Sequence, residues 1–449
     1  MTHNIKPLLF SLFLSFLATL PALSRETLNF DRGWLFCLGD SSAMARTDYA
    51  DTSWRQLDLP HDWAIEGDFS VDNPSGAGGG ALPGGIGWYR KHFTVPASLT
   101  ADDHLFITFD GVYMNSSVYI NGHLLGTRPY GYISFQYDLT PYLRRGADNV
   151  IAVRVDNSDQ PNSRWYSGCG IYRNVWLTAT SPLHIANWGV YVMPTTKNGR
   201  TWTVPVTVTL ADDSQKGQHP MVRNTLFDSN GKIVAQVANG STEQEMTVRN
   251  PRLWSPDAPN VYSLLTEIVI AGKTVDAVRT TTAFRSFRFD AKTGFWLNGK
   301  NMKLNGVCDH HDLGCLGAAL DNDALRRQLV KLKDMGVNAI RCSHNPPAPE
   351  LLNMADTMGF IVMDEAFDMW MRRKTKNDYA RFFEKWHQRD LTDMLLRDRN
   401  HPSILIWSIG NEVLEQWSSA SADALSLEQA NLILNAGHDA STLAHGKEL

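Results

Sequence analysis

The sequence is short of cysteine, of clustered basic charge and of long apolar runs, and each shortage removes a class of protein. Five cysteines, Cys37, Cys169, Cys308, Cys315 and Cys342, are an odd number scattered over 449 residues. They form neither a disulfide framework nor a metal-site spacing. Free thiols are expected, although Cys308 and Cys315 are near enough to meet in a loop. A net charge of −5 offers none of the clustered Lys and Arg that a phosphate backbone requires, so no nucleic acid is expected. Nothing is low-complexity, and the composition is that of a soluble globular chain. One apolar run stands out, Leu8 to Leu20, broken only by Ser and Thr, and it is short for a bilayer span. With Lys6 before it and Ala22-Leu23-Ser24 after it, it reads as a signal peptide over residues 1–24, cleaved before Arg25. That implies a secreted or periplasmic protein with no membrane span once the signal is removed.

What the chain has in quantity is length and aromatic rings. Its 449 residues require about two to four domains. Fourteen tryptophans suit sugar binding, since a pyranose presents a C–H face that stacks on an aromatic plane, although most are expected to fill cores. From 25 to 180 the pattern is strand and turn, with alternating runs at Leu105–Phe109, Ser117–Ile120 and Val150–Val155. Asn121-Gly122 between two such runs predicts a tight hairpin. A second β segment, 181–288, contains strands at Trp202–Leu210 and Val261–Ala271, and its length of about 100 residues fits an immunoglobulin-like sandwich.

From 289 to 449 the period changes. Strands are expected at Met302–Leu304, Ala339–Arg341, Phe360–Met363 and Ile404–Ser408. Helices are expected over Asp321–Met335, Pro349–Met358, Asp378–Arg399 and Leu425–Ala440. In the first helix Asp321 is the N-cap and Leu325, Leu329, Leu332 and Met335 form the apolar stripe. Four strand–helix repeats make half of a parallel (β/α)8 barrel. The fold class is therefore multidomain β plus α/β.

The run Asp398-Arg399-Asn400-His401-Pro402-Ser403-Ile404-Leu405-Ile406-Trp407-Ser408-Ile409-Gly410-Asn411-Glu412 places an amide and a carboxyl straight after an apolar strand. The C-terminal strand end is where a βα barrel projects its catalytic groups. A carboxyl partly desolvated there has its pKa raised and can act as general acid, while Asn411 can hydrogen-bond a sugar hydroxyl. In Asn338 to Pro347 the proline pair stops the strand, which leaves Arg341, His344 and Asn345 at its end; an ordinary loop with an Arg–carboxylate bridge is the plainer reading. Asn305 to Asp312 holds His310 and His311, too isolated a cluster for a metal site. Asp364 to Trp370 offers Trp370 as a stacking wall or as core filling.

These runs resemble the signatures of family 2 glycoside hydrolases of the β-galactosidase type, from about Phe30 to the end. The resemblance implies a jelly-roll sugar-binding domain, an immunoglobulin-like sandwich and the first half of a TIM-type barrel. It extends to Pro60-His61-Asp62-Trp63, the glycine-rich stretch Gly76 to Trp88, and Ser163 to Arg173 in the first domain. Pro251-Arg252-Leu253-Trp254-Ser255-Pro256 in the sandwich matches as well and is read as structural. The activity implied is that of a retaining exo-β-glycosidase on terminal β-galactosides, with an oligo- or polysaccharide as substrate. Glu412 becomes the acid/base, Asn411 a contact to the 2-hydroxyl, His344 and His310 substrate ligands, and Arg341 an orienter of carboxylates.

Five positions depart from the family pattern. Asn345 stands where some members carry Tyr, and His311 where a Glu is common. Met369 and Met371 replace a Glu and a His of magnesium-dependent members, and hard Mg²⁺ does not use thioethers; no metal or other cofactor is expected. Arg164 stands where an Asp holds galactose in some members, which suits a charged or decorated glycan. A β-glucuronidase of the same family and a glycan-binding remnant without catalysis are the rival readings, and a homo-oligomer of the full-length form is compatible with either.

A retaining mechanism needs a second carboxylate about 5–5.5 Å from the first. In the family it ends the seventh barrel strand, which lies downstream of position 449, while Glu415 and Glu428 fall in the following loop and helix. The chain is therefore expected to lack its nucleophile and to be inactive alone. Half a barrel also implies unpaired edges at Met302–Leu304 and Ile404–Ser408, with Ile404, Leu405, Ile406 and Trp407 lacking an opposite wall. The β-domains before Arg288 are expected to fold without it.

Overall fold

Alternating side chains and tight turns build the first half of the molecule. The structure, a computed structural model, describes residues 25–95, 99–212, 217 and 219–417. The expected signal peptide over 1–24 and the helix expected over Leu425–Ala440 lie outside the described residues. In the first sandwich a four-stranded antiparallel sheet, ordered Glu26–Asn29, Val175–Thr180, His104–Phe109 and Phe135–Asp138, faces a six-stranded one. The latter runs Arg55–Leu57, Trp34–Leu38, Gly85–Thr94, Asp148–Asn157, Ser116–Ile120 and His123–Arg128. Trp34, Ile107, Phe109, Val118 and Val153 fill the space between them. The predicted hairpin is present: Ile120 pairs with His123, and Asn121 and Gly122 both take positive φ, +50° and +83°, as a two-residue type I′ turn requires.

The second sandwich packs Leu183–Val192, Thr201–Asp212 and Glu243–Arg249 against Ile233–Asn239, Met221–Phe227, Tyr262–Ile270 and Lys273–Thr282. Trp202, Val204, Val206 and Val208 alternate inward along one strand. A small sheet, Phe287–Asp290, Gly294–Leu297 and Lys300–Asn301, then leads into four parallel strands in sequential order: Gly306–Asp309, Ala339–Cys342, Ile361–Glu365 and Ile404–Ser408. Helices α1 (Asn322–Asp334), α2 (Pro349–Met358) and α3 (Ala380–Asp398) connect them. Asp321 caps α1 by accepting from the Ala324 amide at 2.8 Å.

Three expectations are corrected. The first barrel strand is Gly306–Asp309, whereas residues 302–305 carry no ladder. Met302 packs beside Trp254 and Phe295 instead, and the Asn338 side chain takes up the Lys303 carbonyl and the Asn305 amide. Asp364 and Glu365 are the last residues of the third strand rather than part of its loop. Met335 is 75% exposed because α1 has ended and Met335 is its C-cap.

The barrel strands also have more cover than half a barrel implies. Ile404 and Leu405 are buried, and only Trp407 of that strand is substantially exposed. Much of the cover over the helices comes from the first sandwich. Tyr113, Tyr130, Tyr132 and Tyr172 share an apolar seam with Phe367, Met369, Tyr379 and Phe383. Arg128 reaches α3, pairing with Asp390 at 2.6 Å and Asp393 at 2.8 Å, all three side chains nearly sealed from water. Arg173, buried, donates to the carbonyls of Pro346 and Pro347 at 3.0 and 3.1 Å. Removing one partner of a buried ion pair costs about 3–5 kcal/mol, since the other is left uncompensated. Arg128→Ala should lower the unfolding free energy by about that amount and open α3 to protease; a loss below about 1 kcal/mol would show that the apolar seam alone docks the helix.

Candidate active site

The C-terminal ends of the four parallel strands bring together residues that lie up to 248 positions apart. Glu365 closes the third strand fully buried, and it is held on three sides. Arg341 grips it from the second strand at 2.8–3.0 Å, His344 Nδ1 approaches at 2.7 Å, and Ser408 Oγ donates at 2.7 Å from the fourth strand. Arg341 also donates to Asn411 Oδ1 at 2.7 Å, and Asn411 Nδ2 donates to Asp368 at 2.7 Å. Asp368 in turn receives Arg164 at 2.6 and 3.1 Å and Lys374 at 3.0 Å. Burial pushes its carboxyl up, but these cations outweigh burial and hold it below the ordinary range.

Glu412 ends this chain of contacts. Its side chain is half-exposed, receives Arg164 at 3.1 Å, and lies 4.0 Å from Lys374. Its backbone takes φ +42°, a conformation that non-glycine residues adopt at a cost and that concentrates at functional sites. Trp370 steadies the loop before it, donating its indole N–H to the Ile409 carbonyl at 2.8 Å and stacking on Phe383. A Cβ on Gly410 would lie 2.9 Å from that indole nitrogen. Trp370, expected as a stacking wall or as core filling, is partly exposed while packed on Phe383.

Arg164 arrives from the first sandwich, and Asp62 explains how. Buried, Asp62 accepts from the amides of Cys169 at 2.8 Å and Ala318 at 2.9 Å, and from the Tyr166 hydroxyl. It thereby pins the segment 163–173 against the barrel. Gly168 allows this approach: its φ is +74°, and a Cβ there would meet Asp62 at 2.7 Å. The glycine-rich stretch packs behind the same segment, with Gly78 and Gly80 against Arg164 and Tyr166. Trp165, next in sequence, sets its ring 5.5 Å from His310 and 5.4 Å from His344.

His310 thus lines the site, and burial, then the neighbouring His344, lower its pKa. His311 is enclosed by Tyr132 and Tyr172, and burial drops it to about 3, so it is neutral. Asn345 is buried with its amide on the Pro346 carbonyl, and lines a small cavity of about 30 Å³ beside Asp309 and His311. The structure leaves it out of the carboxylate cluster. Glu365, Asp368, Lys374 and Trp165 belong to that cluster and were not among the candidates read from the sequence. Arg341 was a signal for Glu365, since a strand-end arginine needs an acid; Lys374, in a run of three cations, gave none.

Met369 is packed in the apolar seam and Met371 is exposed, so neither position supplies a ligand for Mg²⁺. Among the described residues no group of three or more His, Cys, Asp or Glu is placed to hold a metal ion.

Carboxylates, an amide and imidazoles at barrel strand ends, beside aromatic rings, are the equipment of a glycoside hydrolase. Comparison with known proteins assigns the family. The sugar-binding domain of glycosyl hydrolases family 2 matches residues 22–181, the family's central model 183–285, and its TIM barrel domain 291–432. The chain belongs to glycosyl hydrolases family 2.

It is 57% identical over 429 residues to the β-galactosidase BoGH2A of Bacteroides ovatus, covering 94% of this chain and 50% of that protein. A β-glucuronidase of Formosa agariphila is 30% identical over 438 residues, covering 89% and 43%. The crystal structure of a β-glycosidase from Bacteroides vulgatus superposes with a TM-score of 0.84 at 44% identity, covering 91% of this chain and 52% of that one. The chain spans about half the length of the curated relatives it matches.

Burial, then the neighbouring Asp312, raises Asp309 to about 6 from 3.8. A folded carboxyl that holds its proton where the unfolded one has lost it makes stability fall as pH rises through that window. Asp309→Asn should abolish a decline in urea midpoint between about pH 4 and 6 and leave the variant the more stable at pH 7. Parallel profiles for the two proteins would contradict the assignment.

Proposed function

We propose that the whole protein is a retaining exo-β-glycosidase of terminal β-galactosides, with Glu412 as its acid/base. The observation that supports this reading is the position of Glu412 in the segment just after the fourth strand, half-open to solvent, while Glu365 and Asp368 beside it are buried. Glu412 gives its proton to the glycosidic oxygen and then takes one from the attacking water. Asn411 spends one of its two amide hydrogens on Asp368, so the second is left for a sugar hydroxyl. His344 engages Glu365 through Nδ1, which leaves Nε2 for the same purpose. His310 and Trp165 form the adjacent wall.

The likeness to a β-galactosidase at 57% identity supports the galactoside. The placement of Arg164 supports it further. Its guanidinium is committed to Asp368 and Glu412, so it is not free to receive a charged sugar, as its residue type had suggested. The β-glucuronidase reading rests on more distant relatives. An exported protein remains part of the proposal; among the described residues no helix is long and apolar enough to cross a membrane.

Residues 25–449 alone should be inactive. Glu365 is taken up by Arg341, His344 and Ser408, and Asp368 by Arg164, Lys374 and Asn411, so neither is a free nucleophile. A panel of nitrophenyl glycosides on the full-length protein should show β-galactoside preferred, with Glu412→Gln slowing turnover by about 10²–10⁴. Preference for a β-glucuronide would establish the rival, and no turnover of any glycoside would favour a binding protein. Hydrolysis by 25–449 above its own Glu412→Gln control would contradict the account of the carboxylates.

A further inference from the structure

At the opposite end of the barrel strands from the carboxylates, where the second sandwich meets the start of the fourth strand, lies a cavity of about 290 Å³. Arg285, just after the last strand of that sandwich, and Arg399, the C-cap of α3, both line it. Neither forms an ion pair among the described residues. Arg285 donates Nη2 to the Ile404 carbonyl and lies 5.3 Å over the Phe287 ring, while its Nη1 is enclosed with no partner. Arg399 donates Nη2 to the Trp188 carbonyl at 2.9 Å and lies 4.9 Å over Tyr191, while its Nε is enclosed with no partner. The one carboxylate whose field reaches Arg285, Asp356, is engaged by His401 at 2.6 Å and by the Ser403 amide at 3.0 Å.

Arg285, largely withdrawn from water, and Arg399, partly so, carry no counter-charge, an arrangement that a bound anion would balance. Burial lowers Arg285 to about 10 and lowers Arg399 as well. A guanidinium's planar fork matches the oxygens of a carboxylate or a phosphate. We infer that this cavity is a binding site for a small oxyanion, with Arg285 and Arg399 as its two cationic arms. The anion is either free in solution or an acid group carried on a sugar.

Isothermal titration of the full chain with inorganic phosphate and, separately, with glucuronate, at constant ionic strength, distinguishes the two sources. Saturable binding of at least one is expected, weakened about tenfold or more by Arg285→Gln and by Arg399→Gln. Phosphate binding alone identifies a free-anion site, and tighter binding of glucuronate identifies an acid sugar. Ser286, exposed on the cavity wall, gives a reading that survives if the arginine variants fail to fold. Ser286→Glu tethers a carboxylate beside the cations, and should raise Tm by about 2 °C or more and abolish binding of both anions. No binding of either anion, binding unchanged in both Gln variants, or a Ser286→Glu chain with unraised Tm overturns the inference.

Discussion

A buried carboxylate is costly unless cations or hydrogen bonds meet it, and those at the strand ends draw their cations from two domains. Glu365 is balanced from within the sheet by Arg341, whereas Asp368 is shared between Lys374 of the barrel and Arg164, which belongs to a sandwich more than 200 residues earlier. The same arginine is the nearest cation to Glu412. The first sandwich is therefore part of the carboxylate-bearing end of the barrel, and it helps to place Asp368 and Glu412.

The docking is itself built from buried charge. Arg128 holds α3 by two carboxylates, Arg173 holds the loop after the second strand by two carbonyls, and Asp62 holds the segment that carries Arg164 and Trp165. An apolar seam of tyrosines against Phe367, Tyr379 and Phe383 supplies area but, being non-directional, sets no register. The directional contacts set it. With the sandwich placed, Trp165 stands beside His310 and His344, and Arg164 beside Glu412 in the segment after the fourth strand.

Much of this was legible wherever the deciding interaction is local. The Asn121-Gly122 hairpin, the Asp321 cap, the Pro349 helix start and the strand Ile404–Ser408 are each decided within a few residues, and all were expected. The first barrel strand was misplaced because Met302 is apolar for the sake of the small sheet beneath the barrel, not of a ladder. Arg164 was noticed for its charge, yet its partners at separations of 204 and 248 residues have no local signature. Lys374 was missed because a run of three cations reads as a solvated face, and only the fold turns one of them inward. Asn345, adjacent to His344 in sequence, lies with it in the irregular segment after the second strand and lines a small packed cavity instead, which no local pattern announces.

The central claim is that Arg164 and Asp368 act as one unit across two domains to hold the carboxylate cluster in place. A double-mutant cycle of Arg164→Gln and Asp368→Asn, read as kcat/KM of the full-length protein on its best nitrophenyl glycoside, addresses it directly. The account predicts a coupling above about 1 kcal/mol, with the double variant little worse than either single one. Losses that simply add, to within about 0.5 kcal/mol, would show that the arginine and the carboxylate work independently.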